Sequence, residues 1–221
     1  QYMSNGSLDQ HIQALSWKKR LEIYIGAARG LHYLHAGAKV TIFHCNIKSK
    51  NFVLDHNMHP KLTDFGLSIQ GARFTSKPKP IKVYTVDKYD VFSFGVVLLE
   101  VVWGRIVYDM AIRGNLWENP LEMDIDPNIK GKIAPECLQV FIDITLRCVK
   151  HDADERPTMG EVEVELEHVL SLQEQTDITN TDAHYNLLSK TIIKRYKQRE
   201  DIIQTDTYGS LVSQPFIKDD S

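Results

Sequence analysis

An α+β fold, mainly helical with a few short strands, follows from three features of this 221-residue chain. An amphipathic helical period comes first, short apolar runs between polar turns occupy the next stretch, and a segment apolar on nearly every face follows them. With 43% hydrophobic and 25% charged residues, the chain can bury one substantial core.

Ser16 is placed to cap a helix whose apolar positions Trp17, Leu21, Ile25, Ala28, Leu31 and Leu34 recur at three- and four-residue steps, with Gly37 as its stop. Short strands are expected at 41–43, 52–54 and 61–63, separated by His-, Asn- and Asp-rich pieces that suit turns. From 66 to 85 the pattern dissolves into Gly, Ser, Thr, Lys and the prolines Pro78 and Pro80, which predicts a mobile loop. The apolar segment 91–104 predicts a helix buried on all sides. Further helices are predicted over 136–149 and 159–173, the second opened by Arg156-Pro157-Thr158. Beyond Gln175 the polar sequence predicts a largely disordered tail with at most one short helix near 185–196.

Composition excludes several function classes. A net charge of −3, from 26 basic and 29 acidic residues, gives no field that would attract nucleic acid or an anionic membrane. Cys45, Cys137 and Cys148 show no CxxC spacing, so neither a disulfide framework nor a zinc site is indicated and a reducing cytosol fits. No apolar run reaches about 18 residues, and the start has no signal-peptide pattern, so no membrane insertion is expected. The chain begins without an initiator methionine, in what reads as the middle of a domain, and a fragment or truncated product is expected.

Four pieces occur in one order: His44-x-x-x-Lys48-x-x-Asn51, Asp64-Phe65-Gly66, Asp90-Val91-x-Ser93-Phe94-Gly95 and Arg156-Pro157-Thr158. The set resembles the protein-kinase fold from the hinge to the end of the catalytic domain. Tyr2-Met3-Ser4-Asn5-Gly6-Ser7-Leu8 and Gly26-Ala27-Ala28-Arg29-Gly30-Leu31-His32-Tyr33-Leu34-His35 look like the plant receptor-like Ser/Thr kinases. Gly131-Lys132-Ile133-Ala134-Pro135-Glu136-Cys137 looks like their malectin-receptor-like group. The resemblance implies a C-lobe, with the hinge, over 1–173 and a polar tail over 174–221. It also implies ATP and Mg²⁺ as cofactors, other kinases or receptor-complex proteins as partners, and a place in the cytosol.

Phosphoryl transfer needs the nucleotide held still, its charge neutralised by metal, and the acceptor hydroxyl oriented by a base. By resemblance, Asp64 and Asn51 would hold Mg²⁺, Lys48 would neutralise the transferring group, the backbone of Met3 would face adenine, and Val53 would form the floor beneath it. Asn46 stands where the family has its catalytic aspartate, and an amide cannot take a proton at neutral pH. General-base help is worth roughly 10²–10⁴-fold, so no phosphoryl transfer is expected. Cys45 replaces the arginine that pairs with a phosphorylated activation loop in the family, and a thiol forms no bidentate bonds to phosphate.

The segment between Asp64 and Asp90 lacks the family's Gly-Thr-x-Gly-Tyr and Ala-Pro-Glu, and Ala134-Pro135-Glu136 lies too late to serve as the latter. A Gly-rich loop and a strand lysine are also missing from the sequence, so the N-lobe is expected to be absent and ATP binding weak or absent. By resemblance, Asp90 would accept hydrogen bonds from the catalytic-loop backbone and His44 would anchor that loop by packing. Cys45 is expected to be structural, and His35, His44, His56 and His59 to serve core or turn roles, not metal binding. Ser68, Thr75, Ser76 and Thr85 are open to phosphorylation by other kinases. Because 67–86 contains no Asp or Glu, Arg156 is expected to reach water or a local acid such as Asp152 or Asp154. Its methionine variant should then change stability by less than about 1 kcal/mol. Three readings stay open: an inactive kinase relative that binds other proteins, an active kinase completed by residues outside this chain, and a poorly folding truncated product.

Overall fold

Ser16, extended at ψ 158°, accepts a hydrogen bond from the Lys19 amide and so starts helix α1 (Trp17–His32). The computed structural model describes residues 3–71, 86–105 and 125–179. Trp17, Leu21, Ile25, Ala28 and Leu31 all turn inward as their spacing requires. The helix loosens into a π-type turn at Tyr33–Gly37, which ends where Gly37 was expected to stop it.

Strands β1 (Ile42–Phe43), β2 (Phe52–Leu54), β3 (Pro60–Leu62) and β4 (Ile69–Gln70) form two antiparallel pairs. Phe52 pairs with Leu62 and Leu54 with Pro60 in one pair, Ile42 with Gln70 and Phe43 with Ile69 in the other. The second pair corrects the expectation of a loop starting at Gly66. Phe65–Leu67 forms a 3₁₀ turn, and β4 then takes up the hydrogen-bonding edge of β1, closed by Gly71 N–H donating to Thr41 O at 2.8 Å. The rest of the expected loop, from 72 to 85, lies outside the described residues, as do Thr75, Ser76 and Thr85.

Helix α2 (Val86–Trp103) runs through the centre, and from Asp90 to Trp103 every residue but the half-buried Phe92 is buried. Burial on all faces is what its lack of a polar side demanded. Gly95 lets it approach α3 (Pro135–Cys148) closely, because a Cβ there would lie 2.6 Å from Cys148 Cβ and 2.7 Å from Val149 Cγ1. Ala134-Pro135-Glu136 opens α3 with proline in the first turn, the position where its missing N–H costs nothing. Helix α4 (Met159–Thr179) packs on both α1 and α3.

The last helix continues six residues beyond the expected end at 173. Gln173, read as the last residue of this helix, is 2% exposed; its Oε1 accepts Ala134 N–H at 2.9 Å and its Nε2 donates to Asp177 at 2.8 Å. It satisfies the free amide at the start of α3 and ties the last turns of α4 to the core. The rest of the tail, 180–221, with the short helix expected near 185–196, lies outside the described residues.

Arg156 donates to three main-chain carbonyls. Nε donates to Lys150 O at 2.7 Å, Nη1 to Lys88 O at 3.0 Å and Nη2 to His151 O at 3.1 Å, and the guanidinium lies 4.8 Å from the centre of the Phe92 ring. Lys150 and His151 follow the C-terminus of α3, where carbonyls lack helical partners and the helix dipole favours a cation. A search among side-chain acids misses such acceptors. Arg156→Met is therefore expected to lower stability by about 1–2 kcal/mol, more than the sequence suggested, because three carbonyls and a ring face lose a charged donor together. Urea denaturation of the two proteins measures this, and equal midpoints would refute it.

Candidate functional site

The loop from His44 to Asn51 is held from below by Asp90. This wholly buried carboxylate accepts His44 N–H on Oδ2 and Cys45 N–H on Oδ1, each at 2.7 Å. His35 Nε2, brought in by the π-type turn, meets Oδ2 at 3.0 Å. The backbone capture expected of Asp90 is thus present. His44 is fully buried, with Nε2 2.8 Å from Thr63 O, Nδ1 accepting Asn46 N–H at 3.2 Å, and its ring edge-on to Phe65 at 4.9 Å. It joins the 44–51 loop to the 63–66 turn as an anchor should. His59 sits apart, 3.5 Å from Asp55 within the turn between β2 and β3.

Two residues at the site hold left-handed backbone, Cys45 at φ 62° and Asp64 at φ 63°. Such conformations persist in side-chain-bearing residues only where surrounding bonds over-determine them, and they concentrate at functional sites. At Cys45 the constraint is its amide bond to Asp90. Its thiol donates to Phe43 O at 3.7 Å, and burial, aided by the Asp90 charge, pushes its pKa up to about 11. The thiol is therefore protonated at neutral pH and a poor nucleophile, as a structural cysteine would be. Burial pushes Cys137 and Cys148 up to about 12.

Asn46, Asn51 and Asp64 come together. Asn46 Nδ2 donates to Asp64 Oδ2 at 2.7 Å, while Asn51 Nδ2 donates to Asn46 O at 2.7 Å and to the same Asp64 Oδ2 at 3.3 Å. Lys48 joins through its carbonyl, which accepts Asn51 N–H at 2.9 Å at the start of the Ser49–Asn51 3₁₀ turn. Residues 5–7 run beside β2: Asn5 N–H donates to Leu54 O at 3.2 Å, Leu54 N–H to Gly6 O at 2.8 Å, and Ser7 bridges Val53. The segment beginning at Met3 therefore lies along the strand that carries Val53.

The sequence reading missed two tethers of this site. Thr63 Oγ1 donates to Asn51 O at 3.1 Å, and Ser68 Oγ donates to His44 O at 3.2 Å. Both bind one loop's hydroxyl to the other loop's main chain, and no spacing rule reveals such contacts. Phe65, Leu67 and Ile69, beside Asp64, are 45%, 62% and 44% exposed, although each is a large apolar side chain.

Residues 1–168 match the protein kinase domain family. The chain is similar to Receptor-like protein kinase ANXUR2 of Arabidopsis thaliana, with 42% identity over 207 residues covering 80% of this chain and 24% of that protein. It is also similar to Receptor-like protein kinase ANXUR1 (41% over 214 residues, 80% and 25%) and Receptor-like protein kinase FERONIA (37% over 207 residues, 80% and 23%), both from the same plant. The chain spans about a quarter of the length of these relatives. Among the described residues no helix is long and apolar enough to cross a membrane.

Proposed function

From the premise that the chain belongs to the protein kinase domain family, we propose that it is a kinase-fold binding unit related to plant receptor-like Ser/Thr kinases that does not itself transfer phosphate. One observation carries this reading: at the position of the catalytic base stands Asn46, whose amide donates to Asp64 at 2.7 Å. A base must accept the hydroxyl proton, and this group is turned to donate one. ATP and Mg²⁺ are the family's cofactors, with Asp64 and Asn51 as the residues that would approach metal, Met3 and Val53 those that would approach adenine, and Lys48 the cation for the phosphates. Residues 1–173 correspond in this reading to the hinge and C-lobe of a kinase domain. Weak ATP binding belongs to the same reading, because Asn46 engages the Asp64 carboxylate that would approach the metal.

Phe65, Leu67 and Ile69 support a binding role, since neighbouring exposed apolar side chains are characteristic of surfaces that another protein covers. Another kinase or a component of a receptor complex, on the cytosolic side, is the partner class that the relatives' names suggest. No phosphate from radiolabelled Mg-ATP should enter the purified chain or a generic Ser/Thr substrate above the level of an Asp64→Ala control. The same result is expected of the Asn46→Asp, Cys45→Arg double variant, because the segment between Asp64 and Asp90 still lacks the family's substrate-docking motifs. Turnover by the natural chain would overturn the proposal; turnover by the double variant alone would show that the two loop substitutions were the whole defect.

A further inference from the structure

We propose that the Asn46 amide acts as a built-in occupant of the Asp64 carboxylate, taking the place of a divalent cation and holding the site closed without metal. The inference rests on reading Asp64 and Asn51 as the family's metal positions, and it is independent of whether phosphate is transferred.

Hydrogen-bond chemistry fixes the orientation of both amides. Asn46 O and the Asp64 carboxylate can only accept, so the groups that face them at 2.7 Å must be the NH₂ ends of Asn51 and Asn46. Two amide NH₂ groups thus converge on one oxygen, Asp64 Oδ2, at 2.7 and 3.3 Å. A hard cation such as Mg²⁺ needs oxygen donors in near-octahedral array about 2.0–2.1 Å away, and it cannot share that face of the oxygen with N–H hydrogens. The donor set as it stands does not fit the metal. Asn51 alone would not exclude it, because its 3.3 Å contact is the long one and its main bond is to the loop carbonyl. Asn46 supplies the short bond, and it does so only as an amide: an aspartate there would set two carboxylates side by side with only the long Asn51 contact as donor.

The contact also spans the two segments whose backbones are left-handed, at Cys45 and Asp64. A bond between the residue after Cys45 and Asp64 itself holds both segments in register without any metal.

Mn²⁺, titrated into the full chain without nucleotide and followed by electron paramagnetic resonance, tests the assignment. Asn46→Ala frees the carboxylate without adding charge, and it should bind Mn²⁺ about tenfold or more tightly than the natural chain. Equal affinity of the two proteins, or binding that survives Asp64→Ala in the Asn46→Ala background, would overturn the proposal. Should neither protein bind measurably, Asn46→Asp decides: in EDTA its melting temperature should fall below that of the natural chain. A melting temperature equal to or above the natural value would be fatal to the idea. These readouts involve no phosphoryl transfer, so their failure would leave the proposed function standing, and turnover by the natural chain would leave them interpretable.

Discussion

Arg20→Met is expected to remove about 3–5 kcal/mol of stability, the usual penalty for stranding one member of a buried ion pair. Arg20 is completely buried in α1, and its guanidinium donates through Nε to Leu15 O at 3.0 Å, through Nη1 to Val101 O at 2.6 Å and through Nη2 to Asp126 Oδ2. Asp126 is 3% exposed and follows α2, to which its own amide is bound through Val102 O at 2.8 Å. One side chain therefore ties the start of α1, the end of α2 and the segment leading to α3. Gly104, at φ +64°, belongs to the same junction, because a Cβ there would run into Asp126 Oδ2. Methionine fills the channel but leaves Asp126 charged in a dry place and two carbonyls without donors. The Arg20→Met, Asp126→Leu double variant should recover a large part of the loss, since replacing both members with apolar groups removes the stranded charge. Urea denaturation with far-ultraviolet circular dichroism measures all three proteins. A methionine variant within 1 kcal/mol of the natural chain would mean that the pair carries little, a threshold well below the roughly 3–5 kcal/mol expected.

That Arg20–Asp126 contact also shows where sequence reading stops. The period that identified α1 treats position 20 as polar and outward, because an arginine is ordinarily solvated. Its burial depends on an acid 106 residues away in the chain, a pairing without local signal. Elements with repetitive patterns were legible: the inward face of α1, the all-round burial of α2, and strands β1, β2 and β3. Strand β4 was not, since Ile69–Gln70 lies in the Gly-, Ser- and Lys-bearing stretch that reads as a loop and gains its structure from the edge of β1. At the site, His44 as anchor and Asp90 as backbone acceptor followed from the resemblance to kinases, and both make the expected contacts. What spacing could not give was direction. That Asn46 turns its NH₂ group onto Asp64 depends on the left-handed backbone at 45 and 64 and on the tethers from Thr63 and Ser68.

Asp90→Asn changes almost no volume and yet is expected to cost about 2–4 kcal/mol. The two backbone amides that Asp90 holds use different oxygens: His44 N–H points to Oδ2 and Cys45 N–H to Oδ1. An asparagine has one carbonyl oxygen and one NH₂ group, so it can accept from one amide while presenting a donor to the other. The rejected N–H is left unsatisfied beside it at a cost of about 1–3 kcal/mol, and the charge that strengthened the remaining bond is gone. Release of either amide lets residues 44–46 relax toward ordinary backbone, because the Cys45 φ of 62° lies within this contact. Two measurements separate this effect from general destabilisation. Urea denaturation should show the loss in stability, and native-state hydrogen exchange should show the amides of His44 and Cys45 losing protection beyond what that global loss explains. Protection of these two amides falling only in step with the rest of the core would mean that Asp90 supports α2 and not the loop.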